Sequence, residues 1–357
     1  MSGGVDSSVA AALLKKEGYD LIGVFMKFWT EPKEDRLIEG WNRCCSPESE
    51  IRARQTAKVL KIPFYVFNFE REFKKKIVDS FLSGYKEGLT PNPCVVCNKE
   101  IKFGLLLTKA LKLGADYLAT GHYARLWSNS SNSKSKILKL FRGKDKTKDQ
   151  SYFLWGLNQK KLKHIIFPVG DYAKIQVRQI AARFKLPTFS VPESQEICFV
   201  QDTVKDFLSR HLKVKSGAIL TSEGKQIGEH QGLPFYTIGQ RRGVGLSGGP
   251  FYVVDKDFKK NNLIVTPLFK DKTLYQKSLV TKNINWISGQ EGKLPLKIKA
   301  QIRYGHKAVS ALIIKKLKSK TYLLTFTNPQ RAITPGQSVV FYDNQELLGG
   351  GIISKEI

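Results

Sequence analysis

The chain has 357 residues, 41% apolar and 11% aromatic, enough for two or three folded domains and too apolar for a disordered chain. Its 59 Lys and Arg against 31 Asp and Glu give a net charge of +28, which favours a polyanionic partner, nucleic acid ahead of an anionic membrane; a surface simply solvated by lysine is the alternative. No apolar run of 18 residues occurs and no hydrophobic leader opens the chain, so neither a membrane span nor secretion is expected, and a cytoplasmic protein is.

The chain opens on Ser2-Gly3-Gly4-Val5-Asp6-Ser7-Ser8, followed directly by an apolar helical run. Two glycines let backbone amides approach an anion, and the helix beginning near Ser7 aims its unpaired amides at the same point. Asp6 is suited to hold magnesium against bound phosphates. No Gly-Lys-Ser/Thr ending follows, so this is not the usual nucleoside-triphosphatase loop. It resembles the loop of enzymes that split ATP into AMP and pyrophosphate.

Gly18 closes the first helix. Strands are predicted over 21–26, 64–67 and 116–119, with helices over 50–60, 70–86 and 98–113 between them, and a break at Thr90-Pro91-Asn92-Pro93. This alternation predicts an α/β domain with a doubly wound parallel sheet, whose ligands sit at the carboxyl ends of the strands, where the first loop and Gly121-His122 fall. A loop of this kind should follow a strand, yet only Met1 precedes Ser2; a start further upstream is the expectation. The polar stretch 128–148 reads as an exposed loop or mobile hairpin, and helices continue over 159–164, 175–184 and 204–211. After Gly217 the pattern turns all-β, with runs at 251–254, 263–265, 296–304, 311–316, 322–327 and 338–342. The expected division is a catalytic domain over 1–205, a small β-rich domain over 206–275 and a C-terminal β-barrel over 276–357. Ser247-Gly248-Gly249 is followed by Pro250 and reads as a turn.

Five cysteines, Cys44, Cys45, Cys94, Cys97 and Cys198, are an odd number without a secretion signal, which argues for reactive thiols or metal ligands over a disulfide framework. The five histidines show no ligand spacing. Cys97 is expected at the start of a helix, where amide dipoles, Lys99 and Lys102 favour the thiolate. Cys94-x-x-Cys97 alone could equally be half a zinc site or a redox pair, and Cys198 alone reads as a small buried hydrophobe.

The loop 2–8 together with 23–26, 90–103, 119–125, 148–154, 196–199, 237–243, Arg303-Tyr304 and 335–337 runs in order over nearly the whole chain. In these segments the chain resembles the tRNA-specific 2-thiouridylases. The resemblance implies an adenine-nucleotide-hydrolase-like ATP-pyrophosphatase domain, a small β domain and a tRNA-binding barrel. It implies a tRNA-uridine 2-sulfurtransferase, using ATP and magnesium to adenylate the 2-oxygen of the wobble uridine, position 34, in tRNAs for Lys, Glu and Gln. Sulfur would come from a persulfide-carrying donor protein. By position, Cys97 is the nucleophile and Cys198 carries the persulfide, and the two end as a disulfide awaiting reduction. Ser2, Gly3, Gly4, Val5, Asp6, Ser7, Met26 and Gly121 would bind ATP, with Asp6 on the magnesium. Asn92, Pro93 and Cys94 would surround the flipped base. His122, Lys148, Asp149, Gln150, Arg303, Tyr304 and Gln337 would touch tRNA. Cys94 stands where many members carry Asp, which raises a second route through a 4Fe-4S cluster on Cys94, Cys97 and Cys198. The remaining alternatives are another adenylating enzyme of the same loop class and a non-catalytic RNA-binding protein.

Overall fold

The computed structural model describes residues 1–31, 46–128, 137–193 and 197–355. Cys44, Cys45 and Glu196 lie outside the described residues.

Helix Val5–Lys16 starts directly behind the glycine loop and buries Val9, Ala12, Leu13 and Leu14. Strand β1, Gly23–Lys27, pairs in parallel with β2, Phe64–Asn68, with Val24 opposite Tyr65. Helix Pro47–Leu60 joins them; Ser46 accepts the Ser49 N–H at 3.2 Å and Pro47 fills the first turn, where a missing amide costs nothing. A second parallel pair is β3, Leu118–Ala119, with β6, Ile165–Ile166. Residues 1–7 lie between the two pairs: the Met1 amino group donates to Val24 O, and Gly121 packs on Asp6 and Ser7. Both pairs carry the expected parallel sense, but β3 and β6 are only two residues long.

The break at Thr90–Pro93 is itself a helix start. Pro93 opens a helical run over 93–112, Asn92 accepts the Val95 N–H at 3.4 Å, and the ten residues Cys97–Leu106 form π-type turns. The helix therefore begins one turn before the 98–113 expected from the sequence.

Strands β4, Ala124–Ser128, and β5, Leu138–Arg142, form an antiparallel pair, so the hairpin alternative for 128–148 is the one seen, with its first strand lying mostly ahead of that stretch. The small β unit is a four-stranded sheet of β7, Gly217–Thr221, β8, Gln226–His230, β9, Tyr252–Asp257, and β10, Asn262–Thr266, in the order β8-β7-β10-β9. The remaining strands are β11, Tyr275–Trp286, β12, Leu296–Gln301, β13, Val309–Lys318, β14, Thr321–Arg331, β15, Ser338–Asp343, and β16, Glu346–Ile353. They run β11-β14-β13-β12-β15-β16 and the second half of β16 returns to β11, so the six close into a barrel.

The first domain is joined to this barrel. β5 adds to the outside of β16, Leu140 opposite Leu347, and one apolar core contains Val95, Phe103, Tyr152 and Trp155 from the first domain with Val340, Tyr342 and Leu347 from the barrel. Trp155 Nε1 donates to Ser338 Oγ at 3.0 Å and Tyr152 OH to Ser338 O at 2.9 Å, which satisfies both polar tips inside that core.

Candidate active site

Gly3 sits at φ +71, and a Cβ there would run into Ser49 O, so glycine is required twice over. Gly4 caps the helix in extended conformation with no side-chain cap, leaving the first-turn amides for another acceptor. Ser7 Oγ ties the loop by accepting from Ser2 N at 3.1 Å and donating to Gly4 O at 3.1 Å; Ser8 Oγ also donates to Gly4 O, at 2.9 Å. Arg52 Nε donates to Gly3 O at 3.2 Å from the second helix. Gly121 closes the far side: its missing Cβ would lie 2.6 Å from both Asp6 C and Ser7 N. The loop is pinned on both faces, and its first-turn amides carry no side-chain cap, the arrangement of a backbone anion site.

Asp6 is held by two groups that the sequence did not single out. Tyr123 OH donates to Oδ1 at 2.8 Å, and Lys174 Nζ reaches Oδ1 and Oδ2 at 2.7 and 2.9 Å. Burial and the Asp6 carboxylate push the Tyr123 phenol far above its ordinary pKa, so it stays a donor. Lys174 is buried and pairs a second carboxylate, Glu193, at 3.1 Å; Glu193 in turn accepts from Lys148 Nζ at 2.6 Å. Burial alone would raise Glu193, yet the two lysines bring it below the usual carboxylate value, and Glu193 holds Lys148 above its own. Lys174 is the first residue of helix Lys174–Arg183, where a cation opposes the helix dipole unless it is paired. That misplaced charge was its one signal in the sequence.

Cys97 is buried in an apolar cluster with Phe28, Phe73 and Phe199, and Cys198, Ile197 and Met26 pack against the same cluster. One apolar cluster thus takes in two cysteines far apart in sequence, Cys97 in its buried core and Cys198 at its margin. Cys97 lies a full turn inside its helix and its amide is engaged with Pro93 O, so the helix-start argument transfers to Cys94, which is exposed in the first turn. Cys94 is exposed in the first helical turn, whereas Cys97 is buried and Cys198 half-buried at one apolar cluster; among the described residues no group of three His, Cys, Asp or Glu is placed to hold a metal ion.

Asn92 caps the helix and hydrogen-bonds Tyr152, and Pro93 is buried beside it. Tyr304 stacks 4.4 Å from Phe153, and its phenol is raised by burial and by Asp149, with Cys94 and Glu193 also near enough to act on it. Thr90, Thr237–Gln240, Arg303 and Gln337 line a cavity of about 310 Å³ where the catalytic, small β and barrel units meet. Gln337 Nε2 donates to Thr90 O at 2.7 Å, and burial lowers the Arg303 guanidinium. A larger hollow of about 640 Å³ on the barrel, bordered by Lys277, Lys297 and Lys299, contains none of the expected site residues.

Three expected tRNA contacts are turned inward. Asp149 is buried and accepts from Arg142 Nη1 at 2.6 Å, Gly143 N at 3.0 Å and Ser151 N at 3.1 Å. Gln150 Oε1 accepts the Tyr123 N–H at 3.1 Å. His122 is buried between Phe103 and Phe167 with Nδ1 2.8 Å from Thr120 Oγ1; burial, then Lys102, holds its pKa well below 6.5. Of these neighbours, Lys148 joins the charged chain that runs through Glu193 and Lys174 to Asp6.

Comparison with known proteins agrees with this layout. Residues 1–202 match the family model of a tRNA methyl transferase HUP domain, 205–267 its PRC-barrel domain, and 276–353 an aminomethyltransferase β-barrel domain. The tRNA-specific 2-thiouridylase MnmA 2 of Thermoanaerobacter sp. (strain X514) is 46% identical, covering 100% of this chain and 97% of its own length. Those of Carboxydothermus hydrogenoformans and Clostridioides difficile are 45% and 44% identical, each over 100% of this chain and 97% of the relative. With its uncapped glycine loop, two cysteines on one apolar cluster and relatives of this identity along its full length, the chain belongs to the tRNA-specific 2-thiouridylase family.

Proposed function

We propose that this protein is a tRNA-uridine 2-sulfurtransferase that replaces the 2-oxygen of the wobble uridine with sulfur at the expense of ATP. The observation that carries the reading is that Cys97, Cys198 and Met26 share one apolar cluster, in a chain whose first helix opens on an uncapped glycine loop. Sulfur transfer needs two thiols within reach of an activated carbon. The family models' descriptions speak of methyl transfer, but nothing in that chemistry calls for a paired thiol or a pyrophosphate cradle.

The residues fit ATP. The uncapped amides behind Gly4 receive the phosphates, Gly3 and Gly121 let the Ser49 and Asp6–Ser7 backbone close in around the loop, and the resemblance assigns the base to Met26. Asp6 would hold magnesium, which would supply charge neutralisation at the triphosphate. The uridine, flipped into the space bounded by Asn92, Cys94 and Tyr304, attacks the α-phosphate through its 2-oxygen; pyrophosphate leaves. The terminal sulfur of a Cys198 persulfide then attacks C2, and AMP leaves with the oxygen. Cys97 attacks the Cys198 sulfur, the sulfur–sulfur bond to the base breaks, and 2-thiouridine is released with a Cys97–Cys198 disulfide. An external thiol reduces that disulfide by two electrons. The donor is a persulfide-bearing protein, and the substrates are lysine, glutamate and glutamine tRNAs.

The test separates activation from sulfur transfer. Cys97→Ser and Cys198→Ser should each abolish 2-thiouridine while tRNA-dependent pyrophosphate release persists. Wild-type thiolation by either variant overturns the assignment.

A further inference from the structure

Asp6, Lys174, Glu193 and Lys148 alternate in charge along one path, with contacts of 2.7, 3.1 and 2.6 Å. At one end is the anion loop. At the other is Lys148, near enough to Tyr304 to act on its phenol, on the side of the cleft that holds Cys94. The two inner groups are the more enclosed: the Lys174 side chain is 11% exposed and that of Glu193 25%. Each has a partner on either side, and none of the loop chemistry accounts for Glu193.

We propose that Glu193 couples the tRNA side of the site to the magnesium side by deciding where Lys174 sits. This rests on the sulfurtransferase reading. With no tRNA, Lys148 satisfies Glu193 and Lys174 stays on both oxygens of Asp6, the carboxylate that magnesium needs. An RNA phosphate or polar base edge that draws Lys148 away leaves Glu193 with one cation. Lys174 then moves its weight from Asp6 to Glu193, and Asp6 is released to the metal. Tyr123 stays as the donor that orients Asp6. Nucleotide–metal binding is thereby tightened by tRNA, and ATP is spared when no tRNA is present. Reciprocity requires the metal–nucleotide to tighten tRNA by the same factor.

The experiment is equilibrium binding to the full chain, using an ATP analogue with a non-cleavable α,β bridge, magnesium, and an unmodified lysine tRNA transcript. For wild type, saturating tRNA should tighten magnesium-dependent analogue binding about fivefold or more. Glu193→Gln keeps the shape but cannot hold Lys174, so it should bind each ligand alone and show under twofold coupling. Lys148→Gln should also lose coupling, and the double variant should lose no more than either single one, as expected of one path. Wild-type coupling in Glu193→Gln, or no coupling in wild type when both ligands bind, overturns the proposal and leaves the sulfurtransferase reading standing. Failure of wild type to bind either ligand overturns both.

Discussion

Gly121→Ala is the sharpest perturbation of the nucleotide side. The new Cβ would lie 2.6 Å from Asp6 C and Ser7 N, where ordinary contact begins at 3.4 Å, so the anion loop must retreat by about 0.8 Å. The clashing atoms are backbone, and the loop is pinned on its other face by Arg52 on Gly3 O, so the strain cannot be shed by turning a side chain. Overpacking of this kind costs about 1–3 kcal/mol. Expressed in the bound state, that is roughly a 5- to 150-fold loss of nucleotide affinity. A displacement near 1 Å at a reacting centre costs about 10²-fold in rate. Calorimetric titration of the ATP analogue with magnesium reads the affinity, and thermal melting reads the fold. Unchanged affinity in a folded Gly121→Ala would refute the cradle geometry.

Further expectations follow from buried groups and charge. Asp149→Ala should destabilise by about 3–5 kcal/mol in urea unfolding, because it strands Arg142 and the Gly143 amide; a stable variant that loses only tRNA affinity would restore Asp149 as an RNA contact. The depressed His122 pKa leaves the ring neutral in the folded state, so as pH falls below 6.5 the unfolded chain takes up a proton that the folded one refuses. Stability should therefore drop by about 1.4 kcal/mol per pH unit below that value, until the folded-state pKa is reached. His122→Gln should flatten the profile between pH 6.5 and 5.5, and an unaltered slope would contradict the burial. With a net charge of +28, tRNA affinity should fall steeply with salt, with a log–log slope of about −4 to −5 if about six phosphates are engaged; a flat dependence would remove the electrostatic account of the basic chain.

Much of the site was legible locally. The anion loop needs glycine at position 3, where a Cβ would meet the Ser49 backbone, and its Gly-Gly pair reads directly from the sequence; Gly121, whose Cβ would meet Asp6 and Ser7, comes from far along the chain. The barrel strands announced themselves by their period, although β11 and β16, the pair that closes the barrel, were missed. What escaped is long-range. β6 has two residues, too short for any period to register, whereas its partner β3 falls inside the run 116–119 predicted as a strand. The β4–β5 hairpin docks on a barrel strand some two hundred residues later, and no local pattern encodes that partner. Asp149 and Gln150 are polar residues in a polar run, and only the fold reveals that Arg142 and Tyr123 turn them inward. Lys174 and Glu193 look like surface charges until the fold stacks them against Asp6 and Lys148. The Cys97–Cys198 convergence was available to the resemblance but not to spacing.

The central claim is tested most directly by nucleoside mass spectrometry on an unmodified lysine tRNA transcript incubated with the full chain, ATP, magnesium and a persulfide donor. The account predicts 2-thiouridine at the wobble position, formed only with ATP, with one AMP and one pyrophosphate per sulfur. Absence of 2-thiouridine from protein that binds both ATP and tRNA, or its formation without ATP, would contradict it.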